Sequence, residues 1–201
     1  MPVEIGQVAP SFTLPAANRD GDVSLAEFRG KRAVLLALFR GLYCPFCRHQ
    51  IAGLARTAEK LRAADVETLA VVATPASRAR LYFRFHQATI ALGADPDLTT
   101  HRAFGLPGVP LTQEIFDGVD KTALGFARDK GISTKPGTAY QDINVIDGYS
   151  PTADDGQDLE RNQAQYVGHL LVGRDGVVRW VNIERTFGEL PTEAELLAAV
   201  R

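Results

Sequence analysis

The apolar run Ala33–Phe39 is followed within a few residues by Cys44 and Cys47, the two cysteines of the chain. No other feature limits the available folds as much. An uninterrupted apolar run of this length reads as a strand covered on both faces. Gly41 frees the backbone for a sharp change of direction after it. Pro45 suits the first turn of a helix, where its missing N–H is no loss. Ile51, Leu54, Ala58 and Leu61 then recur at helical spacing, which predicts a helix running to about Arg62. Cys44 is thereby placed at a helix N-terminus. Unpaired N–H groups and the helix dipole favour an anion there, so its thiol should ionise more readily than a free cysteine.

Across that first turn, Cys44-Pro45-Phe46-Cys47 can close a small disulfide. Cys44 is expected as the exposed nucleophile and Cys47, one turn in, as the thiol that resolves a mixed disulfide. Tyr43 adjoins the nucleophile, and Arg40 and Arg48 flank the pair and bring positive potential. Two other readings stay open, half a zinc site and a pair of inert buried thiols. The zinc reading lacks its second half, since no third cysteine exists and His49 lies too close in sequence to be a natural partner. No metal is therefore expected.

A chain of 201 residues can bury a proper core as one large domain or as a domain with insertions. Its 45% hydrophobic and 23% charged residues are ordinary for a soluble globular protein. A net charge of -2 makes no electrostatic case for a nucleic-acid partner or an anionic membrane. No apolar run approaches the ~18 residues of a membrane span, and Met1-Pro2-Val3-Glu4 lacks the basic-then-apolar pattern of a secretion signal. Two adjacent cysteines suit a reducing compartment better than a disulfide-stapled secreted domain, so a cytoplasmic location is expected. No glycine-rich phosphate loop follows any predicted strand, and no organic cofactor is implied.

In chain order, residues 11–14 and 23–25 are short strand candidates joined by the turn signal Asp20-Gly21. A single helical turn precedes Gly30. Residues 66–73 form the next strand, rich in β-branched residues. Thr74 and Pro75 then open a helix over about 76–92, with threonine as its cap and Leu81, Phe85 and Leu92 on one side. Strand, helix, strand, helix in this order implies a right-handed parallel crossover. Asp95-Pro96-Asp97 opens a short helix ending at Phe104. Residues 106–165 hold several prolines and the turn pairs Asp117-Gly118, Asp147-Gly148 and Asp155-Gly156, with one short amphipathic helix around Ile115, Phe116 and Val119. So long a loop without structure is unusual in a compact domain, so this stretch reads as an insertion with elements of its own: a surface elaboration, a lid over the cysteines or a dimer contact. Residues 167–172 and 177–183 make a β-hairpin across Asp175-Gly176, and Thr192 caps a final helix through Val200.

With these elements in place, the chain resembles a thioredoxin fold, and more narrowly the peroxiredoxin-like branch of the alkyl hydroperoxide reductase and thiol-specific antioxidant family. Residues 9–14, 23–31, 39–47, 95–97 and 171–176 carry the likeness, which spans residues 3–105 and 166–201. The resemblance implies an α/β fold with a central mixed sheet flanked by helices. It forms a single domain over 1–201, with an insertion at about 106–165 before the C-terminal hairpin. A peroxiredoxin places a proline seven residues before its peroxidatic cysteine and a threonine or serine three before it; here those positions hold Ala37 and Gly41. The family's arginine beside the thiolate is expected on the first hairpin strand, where this chain has Val167 and Gly168. The cis-proline that thioredoxins keep near that place is missing as well. Arg40 is the arginine available to stand in.

Among the histidines, His49, His86 and His101 are expected at the surface or in packing. His169 lies on a strand predicted to pass near the cysteine turn. It could take a proton from Cys44 or contact substrate, or it could be structural.

The reading that follows is a thiol–disulfide oxidoreductase of peroxiredoxin-like ancestry: Cys44 attacks a disulfide or a peroxide, Cys47 closes on it, and an external thiol such as a thioredoxin system restores the pair. Its rivals are a true peroxidase acting on hydrogen or alkyl hydroperoxides and a non-catalytic thioredoxin-like interaction protein whose insertion forms a binding surface. A homodimer is left open.

Overall fold

The computed structural model of the protein describes residues 2–200. At its centre β3 (Ala33–Phe39) runs parallel to β4 (Val66–Val72), and β4 runs parallel to β5 (Ala91–Ala94). On the other side β3 pairs antiparallel with β8 (Gly168–Val172), which pairs antiparallel with β9 (Val178–Ile183). The sheet order is therefore β5-β4-β3-β8-β9, the central mixed sheet of a thioredoxin-like fold. A separate hairpin, β1 (Thr13–Pro15) with β2 (Asp22–Ser24), and a 3-10 turn at Leu25–Phe28 precede it.

Strand period explains why β3 sits at the centre. Leu35, Ala37 and Phe39 face α1 (Pro45–Ala63), whose Ile51, Leu54, Ala58 and Leu61 complete that core. Val34, Leu36 and Leu38 face the other way, against Leu14, Val23, Phe104 and Val178. A strand with a core on each face has no place for a polar side chain, which is what its composition announces.

The chain departs from its sequence pattern in three places. Helix α2 (Ala76–Phe85) stops well short of residue 92, and Leu92 belongs to β5. Leu81 and Phe85 point to solvent, while Ala79 and Phe83 are buried. The Asn18 amide donates to the carbonyls of Ala88 and Ile90, holding the chain extended as it enters β5. That long-range contact, and a four-residue strand without β-branched residues, left no local signal. The cap of α2 also differs: Pro75 holds the N-cap position, and the Thr74 hydroxyl accepts from the Leu42 N–H at 2.9 Å, tying α2 to the cysteine loop.

The third departure lies in residues 106–165, which hold three helices and a two-stranded pairing where one short helix was expected. After α3 (Thr99–Ala103) come β6 (Gly108–Val109), α4 (Gln113–Asp129), α5 (Ala139–Asn144), α6 (Ala153–Asn162) and β7 (Ala164–Gln165), which pairs with β6. Two of the turn pairs lie inside helices. Asp117-Gly118 is within α4, and Asp155 serves α6 as the acidic half of a capping box with Thr152. Packing against the domain outweighs the helix cost of those glycines, which is about 1 kcal/mol each. Helix α7 (Glu193–Ala199) closes the chain, capped by Thr192, with Leu196 buried. Among the described residues no helix is long and apolar enough to cross a membrane.

Two histidines are sealed within this core. His101 places Nε2 3.1 Å from the Phe39 carbonyl, and His169 meets the Phe39 ring edge-on. Burial pushes their pKa values down to about 4 and about 3, so both are neutral when folded. An unfolded histidine protonates near pH 6.5, so the unfolded state binds more protons below that point. Stability present above pH ~6.5 should therefore be lost as the pH falls, by about 2 kcal/mol per histidine at pH 5. Urea unfolding at pH 7 and pH 5 measures this, and His169→Leu should remove its share of the pH dependence.

Candidate active site

The loop from Arg40 to Tyr43 carries the chain from β3 into α1, and Cys44 stands at the N-cap position with extended backbone (φ -85, ψ 111). Its Sγ accepts from the Cys47 N–H at 3.3 Å, the role an aspartate or serine oxygen fills at other helix starts. Both cysteines are free thiols. Cys44 was expected to be exposed, and that is corrected: it is only 3% exposed and Cys47 is fully buried. Residues 106–165 cover them, and Cys44 is reached through a cavity of about 460 Å³ that it lines together with Arg40, Tyr43 and Tyr140.

Burial alone would raise the Cys44 pKa. The hydrogen bond with the Cys47 thiol, the positive charge of Arg40 and the Cys47 N–H outweigh it and bring the value down to about 6. Cys47 moves the other way, raised by burial, by the hydrogen bond with Cys44 and by the negative charge that Cys44 carries. The pair therefore holds one proton on Cys47 and one negative charge on Cys44.

Arg40 is buried beside it and is held at two points by Glu184, Nη1 to Oε2 at 2.8 Å and Nη2 to Oε1 at 2.9 Å. Nη1 also donates to the Gln165 carbonyl at 3.1 Å, and the guanidinium lies 5.2 Å from the Phe187 ring centre. Glu184 also accepts from the Val167 N–H at 3.1 Å. The guanidinium is thus anchored at the head of β8, the strand on which the resemblance leads one to expect an arginine. An arginine there would have to displace its neighbours. A Cβ on Gly168 would lie 2.7 Å from a Leu106 methyl, and Val167 is fully buried. Position 41 is closed in the same way, because a Cβ would lie 2.7 Å from the Tyr43 ring and 3.0 Å from the Ala73 carbonyl oxygen. The Tyr43 ring stands where a threonine side chain would go.

Arg48, the second flanking arginine, turns away from the thiol. Its Nη1 donates to the Leu42 carbonyl at 2.7 Å, Nη2 to the Asn144 carbonyl at 2.6 Å and Nε to Asp147 at 2.8 Å, with its guanidinium 3.9 Å from the Tyr149 ring centre. It clamps the α5 end of residues 106–165 onto the cysteine loop. His169 lies opposite Ala37 in the β8–β3 register, and neither ring nitrogen has a hydrogen-bond partner. His49 packs edge-on against Phe126 and His86 stacks on Tyr82.

Sequence reasoning missed Glu184, Tyr140 and the apolar cavity wall. Glu184 directly follows the apolar strand β9, and a buried arginine requires an anion, so the pairing of Arg40 with a carboxylate was open to inference. Tyr140, whose hydroxyl donates to the Tyr43 carbonyl at 3.1 Å, left no such trace. Among the described residues no group of three or more His, Cys, Asp or Glu side chains is placed to hold a metal ion.

Comparison with solved structures shows the same fold at low identity. The reduced 2-Cys peroxiredoxin of Plasmodium vivax superposes with a TM-score of 0.65 at 14% identity, covering 99% of this chain and 81% of that one. A putative thiol:disulfide interchange protein DsbE from Chlorobium tepidum gives 0.58 at 18% identity, covering 99% of each chain. Peroxidoxin BcpB from Mycobacterium tuberculosis gives 0.62 at 12% identity, covering 98% and 95%. No curated protein matches the sequence. The family model of the AhpC/TSA family matches residues 5–181, and family and fold together support a thiol-dependent oxidoreductase kind of activity. The chain therefore belongs to the AhpC/TSA family.

Proposed function

We propose that the protein is a thiol–disulfide oxidoreductase that works through Cys44 and Cys47. The observation that carries this reading is the Cys44 thiolate capping α1, with the protonated Cys47 hydrogen-bonded to it one turn further in. Cys44 Sγ attacks one sulfur of a substrate disulfide and releases the other as a thiolate, which takes the Cys47 proton. The Cys47 thiolate then attacks Cys44 Sγ, closes the Cys44–Cys47 disulfide and releases the second substrate thiolate. Two electrons pass to the substrate, and an external thiol reductant small enough to enter the cavity returns them. Arg40 holds the thiolate form at neutral pH. Tyr43 and Arg48 shape and brace the loop, and His169 serves packing.

Two measurements test this. Alkylation of the reduced wild-type protein, resolved by mass for each cysteine, should label Cys44 first, with half-maximal rate near pH 6 where a free thiol needs about 8.5. Cys47→Ser should trap a mixed disulfide on Cys44, while Cys44→Ser should abolish reduction. Equal, slow labelling of both thiols near pH 7 would remove the nucleophile assignment. Absence of any turnover would leave the non-catalytic reading.

Peroxide reduction is the second reading, favoured by family membership and by the guanidinium next to the thiolate. It requires donors aligned on the O–O bond. Position 41 supplies none, and one missing donor typically costs about 10²–10³ in rate. Hydrogen peroxide should therefore be consumed slowly compared with a model disulfide. Restoring the hydroxyl by Gly41→Thr should destabilise the fold by about 1–3 kcal/mol through collision with the Tyr43 ring, and Tyr43→Ala in the same chain should relieve that loss in thermal melts.

A further inference from the structure

With Cys44 only 3% exposed, a reacting sulfur must come to it through the cavity. Its volume of about 460 Å³ falls within the ~300–1,000 Å³ of small-molecule sites and is far too small for a protein segment around a disulfide. Most of the wall above the thiol is apolar: Leu111, then Ile115, Phe116 and Val119 of α4, Leu159 of α6 and Phe187 after β9. Phe116 is 46% exposed at this wall.

The charges lining the cavity are equally selective. Arg40 is its one cation among the described residues, and both ends of its guanidinium fork are taken up by Glu184. Asp117 and Asp120 also line the cavity. Asp120 accepts from the Gly137 N–H at 2.7 Å and Asp117 from the Gln113 amide at 2.8 Å, so both carboxylates are held in place. An anionic substrate would meet two carboxylates and no free cation.

We infer that the substrate is a low-molecular-weight disulfide whose reacting sulfur carries an uncharged, apolar arm, seated against the α4 wall. This rests on the disulfide-exchange reading above. The apolar arm buries against Phe116 and its neighbours, which brings its sulfur down to Cys44 Sγ. Exchange then proceeds with the atom and electron balance already given: the S–S bond of the substrate breaks, the Cys44–Cys47 bond forms, and a small thiol reductant regenerates the pair.

The test uses the full chain, reduced with dithiothreitol and freed of it, in single turnover against four disulfides. These are neutral aromatic dithiodipyridine, its dianionic aromatic counterpart dithiobis(nitrobenzoate), anionic oxidised glutathione, and insulin as a protein disulfide. Each rate is divided by that of the same disulfide with free mercaptoethanol thiolate, which removes intrinsic reactivity. The neutral aromatic disulfide should lead each of the others by about tenfold or more. Phe116→Asp, at a half-exposed position, should cut that lead about tenfold, and Asp117→Lys should raise the rate with dithiobis(nitrobenzoate). Iodoacetamide labelling of Cys44 reports whether the thiolate itself is intact in each variant. Normalised rates that are equal across the set, a lead for insulin, or no response to either substitution would overturn the inference and leave the redox reading standing. If no disulfide is reduced although Cys44 labels normally, the redox reading fails first and the inference with it.

Discussion

The Arg40–Glu184 pair is the interaction on which the site depends. Both side chains are withdrawn from water, so neither charge is tolerable without the other. Removing one partner of such a pair typically costs about 3–5 kcal/mol, because the survivor is left buried and unpaired. The pair also fixes geometry. It joins the loop after β3 to the end of β9, and its further bonds to the Gln165 carbonyl and the Val167 N–H bring β7 and the head of β8 to the same point. The positive charge that lowers the Cys44 pKa is therefore positioned by the fold and not by the cysteine loop alone. Because Glu184 neutralises Arg40, the site can stabilise a thiolate within contact range without becoming a general anion trap.

Residues 106–165 are fastened to the rest of the chain by two further arginines. Arg48 reaches from the cysteine helix to Asn144, Asp147 and Tyr149. Arg78 on α2 binds Asp155 and Asp158 of α6, two carboxylates that are themselves buried. Asp155 also accepts from the Tyr149 hydroxyl and from the Thr152 N–H, so a helix cap, a loop aromatic and an interhelical ion pair share one carboxylate. Apolar contact adds to this, with Ala123, Ala127, Ala139 and Ile143 joining the α1 side of the core. The segment therefore covers the thiols as a packed layer, and the cavity is what remains between that layer and the cysteine loop.

Two glycines record how the site diverged from the pattern its resemblance implies. At Gly41 the Tyr43 ring, and at Gly168 the Leu106 side chain, occupy the space a side chain would need. The hydroxyl-bearing and guanidinium-bearing positions of that pattern are thus filled by packing. The guanidinium returns from Arg40 at a different root, while the hydroxyl at position 41 does not return.

The sequence by itself determined the elements whose signal is local. The apolar run of β3, the Cys-Pro-Phe-Cys start of α1, the C-terminal hairpin and the Thr192 cap are each readable from adjacent residues, because strand burial, helix capping and turn chemistry act over a few positions. From these follow the fold and the placing of Cys44 at a helix N-terminus. What joins distant segments was decided only by tertiary structure. The end of α2 was set by Asn18, roughly seventy residues away. The burial of Cys44 came from residues 106–165 packing over the cysteine loop, held there by contacts such as Arg48 to Asn144 and Asp147. The partner of Arg40 lies at residue 184, and the neutrality of His169 follows from a core that no window of sequence displays. Burial and charge pairing depend on which surfaces meet, and that information is spread across the whole chain.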